Sequence, residues 1–249
     1  MRVMLRYLVV LAWVGLLVGR AATSVARADN PAPAPAGENL ISNGGFEDWV
    51  DVKLISDYLQ HREDVASVVR IPANLWPRQW IPFRVPYRTG GPGTSDIALD
   101  ETVAHSGKRS VRLTSRSTKD IVCMQYTSEY PIGAAPPPPQ IQPNRHYLLT
   151  WWVKGQDVAP GGGGGYLDQI YYVSQLPGGK GYRGAVNWDD QTRPPTGTFD
   201  WQQERFDFLT DAGAKFFAFC LELRETTGTL WYDDVELRDL GPAVVVKTY

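Results

Sequence analysis

The chain has 249 residues, 25 basic and 27 acidic side chains, a formal net charge of −2, and 12% aromatic residues. This slightly acidic balance, with no cluster of lysine or arginine, excludes the usual chemistry for binding phosphate backbones, so we expect no nucleic-acid partner. The length suits one large domain with inserted loops better than two independent cores. Nine tryptophans exceed the needs of a core, and the surplus favours a binding face.

The first 28 residues have the three-part pattern of a secretory signal peptide. Arg2 and Arg6 precede an apolar run at 7–19, and the letters ARA at 26–28 form a small-x-small cleavage signal. The apolar run is too short to span a membrane comfortably. We therefore predict a secreted, periplasmic or cell-surface protein without a membrane span in the mature chain. Cleavage removes four arginines and no acid, which lowers the net charge to −6.

The mature chain is predicted to be a β domain at 38–240, between a Pro/Ala linker at 29–37 and a tail at 241–249. Apolar residues recur at helical spacing at 54–70, and Ser56 can cap a helix, so one inserted helix is expected over 56–70. Residues 72–92 combine prolines with aromatic residues and are predicted to form a loop, because prolines interrupt a strand ladder.

Alternation of apolar and polar residues at period two predicts the remaining strands. They fall at 108–115, 121–128, 147–154, 167–175, 180–190, 201–209, 215–224 and 230–237. No alternation of strands with helices occurs, so the predicted class is an all-β antiparallel β-sandwich of the jelly-roll type.

The two cysteines, Cys123 and Cys220, both lie in predicted strands. Outside the cytoplasm a single pair is more often bridged than free, so we predict a disulfide. The alternative is a pair of buried thiols that act as small apolar residues.

Four segments and Trp201 occur in an order that resembles carbohydrate-binding modules of families four, nine and twenty-two, found beside cellulase and xylanase domains. The segments are NLISNGGFE at 39–47, HSGKRSVRL at 105–113, YLLTWWVK at 147–154 and WYDDVEL at 231–237. The resemblance covers about residues 38–240. It implies a galactose-binding-like jelly roll with a structural calcium and a groove that binds glycan chains.

A calcium site is expected at the last strand, where Asp233 and Asp234 are adjacent acids that are costly without a cation. Calcium takes about six to eight oxygen ligands from carboxylates and carbonyls. Glu47 can supply further charge if the first and last strands are neighbours. The resemblance implies backbone carbonyl ligands at Gly45 and Lys108. The alternative is an acidic edge that water and basic side chains satisfy.

A glycan groove requires aromatic rings for the apolar faces of sugars and planar polar groups for their hydroxyls. A disulfide would make two strands neighbours, and their outward residues would then form a polar floor. The alternative is an ordinary solvated sheet face. The candidate glycan-binding residues are Gln125, Trp152, Tyr172, Trp188, Glu222 and Arg224.

The motifs of common catalytic sites are missing from the sequence. His61, His105 and His146 do not have metalloprotease spacing, and neither a nucleophile elbow nor a phosphate loop occurs. We therefore predict a monomeric, non-catalytic module that binds a polysaccharide or oligosaccharide. The alternatives are a structural or adhesion domain of the cell envelope and, with less support, a hydrolase acting on glycans.

Overall fold

A computed structural model describes residues 37–51, 75–84, 94–128, 132, 138–160, 169–175, 182–187 and 195–243, and only the backbone at 82–84, 169–175 and 182–187. The expected signal peptide at 1–28, most of the linker, the expected helix at 56–70 and residues 244–249 lie outside this description. Within it, no helix is long and apolar enough to cross a membrane.

Every regular element of the described residues is a β-strand. The strands are β1 (Trp49–Asp51), β2 (Leu75–Pro77), β3 (Trp80–Arg84), β4 (Ser95–Asp100), β5 (Ser110–Ser115), β6 (Ile121–Thr127), β7 (Arg145–Pro160), β8 (Gln169–Gln175), β9 (Tyr182–Asn187), β10 (Gly197–Leu209), β11 (Ala214–Arg224) and β12 (Thr226–Pro242). All of their pairings are antiparallel.

Two five-stranded sheets enclose one core. The first sheet has the order β10-β7-β12-β5-β4 and the second has β3-β6-β11-β8-β9, while β1 and β2 form a separate pair. Rings from the two sheets meet in the core: Trp151 lies 5.0 Å from Phe219, and Phe208 lies 5.8 Å from Phe217, between ring centroids. This arrangement confirms the predicted antiparallel β-sandwich.

Strand parity decides which side chains leave the core. In β7, Trp151 and Val153 are fully buried in the core, so Trp152 between them lies on the outer face of the first sheet. In β6, Met124 is a core residue and Gln125 lies on the outer face of the second sheet. The two outer faces are on opposite sides of the sandwich.

The prediction of a loop over 72–92 was wrong, because this stretch contains β2 and β3. Prolines are tolerated at strand edges. Accordingly, Pro77 ends β2 in the small separate sheet, and Pro82 lies in β3 at the edge of the second sheet. Trp76 and Trp80 are buried, and the indole of Trp76 donates a hydrogen bond of 2.8 Å to the carbonyl of Trp80.

Candidate functional site

A bulge in the last strand, β12, packs against a bend at Gly44 and Gly45 near the start of the domain, called the glycine bend here. The pairing of β12 with β7 shifts register between Asp233 and Glu236, and Asp234 has a φ of 46°. Next to the bulge, the Val235 N–H donates to the carbonyl of Gly44 at 3.0 Å. A Cβ at Gly44 would overlap the carbonyl oxygen of Val235, so only glycine permits this close approach.

The two adjacent acids of the bulge bind the turn that precedes β5. Asp233 accepts the backbone N–H of His105 at 2.8 Å and of Ser106 at 3.2 Å. Asp234 accepts the Ser106 hydroxyl at 2.7 Å, and its other oxygen lies 2.6 Å from His105 Nδ1. Burial, and then the charge of Asp234, raise the pKa of Asp233 to about 7. A nearby cation would remove this electrostatic cost.

Glu47 connects the same turn to the glycine bend. One oxygen of its carboxylate accepts the N–H of Lys108 at 2.6 Å. Gly107, with a φ of 60°, packs so closely that an added Cβ would overlap this carboxylate. A Cβ at Gly45 would lie 3.4 Å from an oxygen of Asp234. The structure therefore brings all five residues expected at the calcium site together around the bulge of β12, and this group is called the acidic edge below.

The donor set at this edge suits a hard cation, because it consists of carboxylate and carbonyl oxygens. A carboxylate offers about four lone-pair positions, so the N–H and O–H contacts do not use all of them. The three acids do not form a closed carboxylate cluster: among the described residues, the only cluster of metal-binding side chains lies elsewhere. Calcium would therefore need backbone carbonyls to complete its coordination.

An aromatic cluster lies beside the acid pair on the outer face of the first sheet. The rings of His105 and Trp152 stack at 3.8 Å between centroids and 15° between planes, and Trp201 meets His105 edge-on at 5.6 Å. Both tryptophans are half-buried. The stacking of His105 on Trp152 was not predicted from the sequence, although the segment at 105–113 gave the available signal.

The expected polar floor lies on the outer face of the second sheet. The β6–β11 register places Gln125 opposite Cys220 and Cys123 opposite Glu222, and Arg224 follows on the same face. Glu222 is 2% exposed, and its carboxylate accepts a hydrogen bond of 2.9 Å from Arg224 Nε. An ordinary solvated sheet face would not bury a carboxylate this deeply.

The predicted disulfide is wrong: Cys123 and Cys220 are both free, buried thiols. The register explains this, because the two residues are diagonal neighbours and not a directly opposed pair. Diagonal positions hold Cβ atoms farther apart than the short separation a disulfide needs. Burial, followed by the hydrogen bond to Cys220, raises the pKa of the Cys123 thiol.

The aromatic candidates do not gather at the polar floor. Trp152 lies on the opposite outer face, in the cluster with His105. Tyr172 lies in β8, where its backbone pairs with that of the core residue Phe217. Trp188 lies outside the described residues. The described part of the site is therefore a polar floor on one face and an aromatic cluster on the other.

No family model and no curated protein matches the chain. Among solved structures it is similar to the CBM22-1 xylan-binding domain of Paenibacillus barcinonensis Xyn10C, with 13% identity and a TM-score of 0.44 over 85% of this chain and 100% of that one. It is also similar to the C-terminal family 22 module of Clostridium thermocellum Xyn10B, with 13% identity and a TM-score of 0.40 over 67% of this chain and 89% of that one.

The enzymatically active domain of tailspike protein 4 from bacteriophage CBA120 is also similar, with 13% identity and a TM-score of 0.48 over 81% of this chain. This chain spans only 21% of that protein. Further similar structures include carbohydrate-binding modules of families 4, 16 and 22.

Proposed function

We propose that this chain is an exported, non-catalytic carbohydrate-binding module whose ligand lies on the polar floor of the second sheet. One observation carries the proposal: a buried ion pair and a half-buried amide share the outer face of central strands, away from the hydrophobic core. The ion pair is that of Glu222 with Arg224, and the amide belongs to Gln125. Burying charge is costly, and a binding function gives a reason to keep it there.

The three side chains have different roles in this proposal. The side chain of Arg224 is 22% exposed and that of Glu222 is 3% exposed. A sugar can therefore reach the guanidinium, which donates to hydroxyl groups, while Glu222 holds the guanidinium in place. Gln125 is half-buried, and its amide carries both a donor and an acceptor group. Trp188 remains a predicted stacking residue, whereas the backbone pairing of Tyr172 with the core residue Phe217 does not favour Tyr172 for this face.

Retention in native gels that contain neutral β-linked polysaccharides tests the proposal. We expect the mature protein to be retarded, and Gln125→Ala and Arg224→Ala each to weaken retention at least tenfold. Arg238→Ala is the matched control, because Glu236 and Arg238 form a pair of the same spacing on the first sheet, at 2.7 Å. No retention on any polysaccharide, or equal losses in the control, would contradict the proposal and favour a structural or adhesion domain.

Two further measurements test the remaining parts of this function. Release of reducing sugar from a retained polysaccharide would show a hydrolase and contradict the non-catalytic proposal. Intact mass of the protein from its natural host is expected to show loss of residues 1–28.

If Trp152→Ala abolishes retention while Arg224→Ala does not, the glycan binds the aromatic cluster with His105 and not the polar floor.

We also propose that the acidic edge binds one structural calcium ion through Glu47, Asp233 and Asp234, with carbonyls of Gly45 and Lys108. The support is the convergence of these residues and the raised pKa of Asp233. Calcium binds the folded chain and not the unfolded one, so it stabilises by mass action. We expect the melting temperature to rise with millimolar calcium and to fall with chelator.

A further inference from the structure

Two thiols and a carboxylate converge on the outer face of the second sheet. Cys123 pairs directly with Glu222 across β6 and β11, and Cys220 precedes Glu222 by two residues on the same face of β11. The two sulfur atoms and a carboxylate oxygen all lie within 4.8 Å of one another. The exposures of Cys123, Cys220 and Glu222 are only 0%, 5% and 2%.

This spacing is close to what a small thiophilic cation requires. A tetrahedral zinc ion binds sulfur at about 2.3 Å and carboxylate oxygen at about 2.0–2.2 Å, which places neighbouring ligand atoms roughly 3.5 Å apart. The cluster can reach that geometry through small side-chain rotations, because adjacent strands already hold the three residues on one face. Three protein ligands leave a fourth position for water.

We propose that Cys123, Cys220 and Glu222 bind a thiophilic divalent cation of the Zn²⁺ class. On binding, both S–H bonds break and the two protons pass to solvent, so the ligands carry three negative charges. The ion and the Arg224 guanidinium carry three positive charges, which balance those of the three ligands. This balance lowers the cost of burying the ligand charges.

Arg224 also orients the carboxylate. Its Nε donates to Oε2 of Glu222 at 2.9 Å, and its Nη2 donates to Oε1 at 3.4 Å. Hydrogen bonds from outside the ligand set usually orient the carboxylates that bind metals, and Arg224 supplies such bonds here. The cation is thereby held by β6 and β11 together.

This site differs in chemistry from the acidic edge. Thiolates select soft or borderline cations such as Zn²⁺ and Co²⁺, whereas the carboxylates and carbonyls around Asp234 suit calcium. The inference goes beyond the proposed glycan binding, although both involve Glu222. Metal uptake is measured without any glycan, so the two proposals fail separately.

The experiment titrates Co²⁺ into the fully reduced mature protein, after thiol counting has shown two free thiols per chain. We expect thiolate-to-cobalt charge-transfer absorption that saturates at one equivalent and disappears when Zn²⁺ displaces Co²⁺. Cys123→Ser and Cys220→Ser are each expected to lose at least tenfold in cobalt affinity, and the surface variant Asp207→Asn is expected to lose none. No charge-transfer band in folded, reduced protein, or an unchanged band in the Cys220→Ser protein, overturns the proposal.

Alkylation of the unmutated protein gives a second test that does not depend on the folding of the cysteine variants. Zn²⁺ is expected to slow modification of both thiols at least tenfold, and Ca²⁺ at the same concentration is expected to have no effect. Equal alkylation rates with and without Zn²⁺ overturn the proposal.

Discussion

Replacing Asp234 with asparagine separates the electrostatics of the acidic edge from its packing. The amide oxygen can still accept the Ser106 hydroxyl, now at 2.7 Å, and the amide nitrogen can donate to His105 Nδ1, now at 2.6 Å. Asparagine also tolerates the φ of 46° at this position. The change therefore removes one charge and keeps the local contacts.

The raised pKa of Asp233 determines how much the free energy of unfolding is expected to change. Its rise from 3.8 to about 7 corresponds to about 4 kcal/mol at about 1.4 kcal/mol per tenfold change in proton affinity. In the metal-free protein, the folded state keeps this proton between pH 4 and 7 and the unfolded state loses it. Stability therefore falls as the pH rises through that window. The charge of Asp234 is the second cause after burial, so it accounts for only part of this cost.

Urea unfolding from pH 4 to 8, in chelator and in millimolar calcium, measures the effect. In chelator at pH 8 we expect Asp234→Asn to be more stable than the unmutated protein, by on the order of 1 kcal/mol. In calcium the order inverts, because the variant lacks one ligand charge and gains less from the ion.

The matched control is Asp207→Asn, which changes another carboxylate in contact with a histidine. Asp207 lies 3.1 Å from His146 Nε2 on the surface, and its side chain is 43% exposed. We expect this variant to respond to calcium as the unmutated protein does. If chelated protein has the same stability at pH 5 and pH 8, or if Asp234→Asn is destabilised equally in both solutions, the electrostatic reasoning is refuted.

Two other comparisons use matched positions. In urea unfolding, Gly44→Ala is expected to lower the stability by about 3 kcal/mol or more, because the new Cβ overlaps the carbonyl oxygen of Val235. Gly45→Ala is expected to lower it by about 1 kcal/mol or less, because the nearest atom to its new Cβ is 3.4 Å away. Glu222→Gln is expected to lower the stability by about 2 kcal/mol, because it breaks the ion pair of a buried carboxylate. Glu236→Gln is expected to lower it by under about 0.5 kcal/mol, because the Glu236 side chain is 38% exposed. Equal costs within either pair would contradict the assigned burial or close approach.

Strand periodicity predicted most of the described fold, because burial of one sheet face imposes the alternation that the sequence displays. The side-by-side residues Trp151 and Trp152 show this, since parity alone sends the first into the core and the second outward. Prolines misled the prediction at β2 and β3. Pro77 and Pro82 are compatible with strands because β2 and β3 are edge strands. The position of a strand within its sheet cannot be predicted from the local sequence.

The register between neighbouring strands could not be predicted from the sequence either. Cys123 and Cys220 do lie on neighbouring strands and on one face, but a shift of two residues decides whether Cys220 or Glu222 is opposite Cys123. Long-range stacking was equally hidden. His105 and Trp152 are 47 positions apart by their numbers, and only the fold brings their rings together.

The position of the acidic edge leads to a last prediction. Asp233 and Asp234 belong to β12 in the first sheet, whereas Arg224 belongs to the polar floor of the second. Calcium at that edge should therefore act on stability and not on glycan contact. Well below the melting temperature, retention should be the same in calcium and in chelator, and far-ultraviolet circular dichroism verifies that the chain stays folded. Loss of retention by folded, chelated protein would instead place the glycan on Trp152, because its stacking partner His105 contacts Asp234.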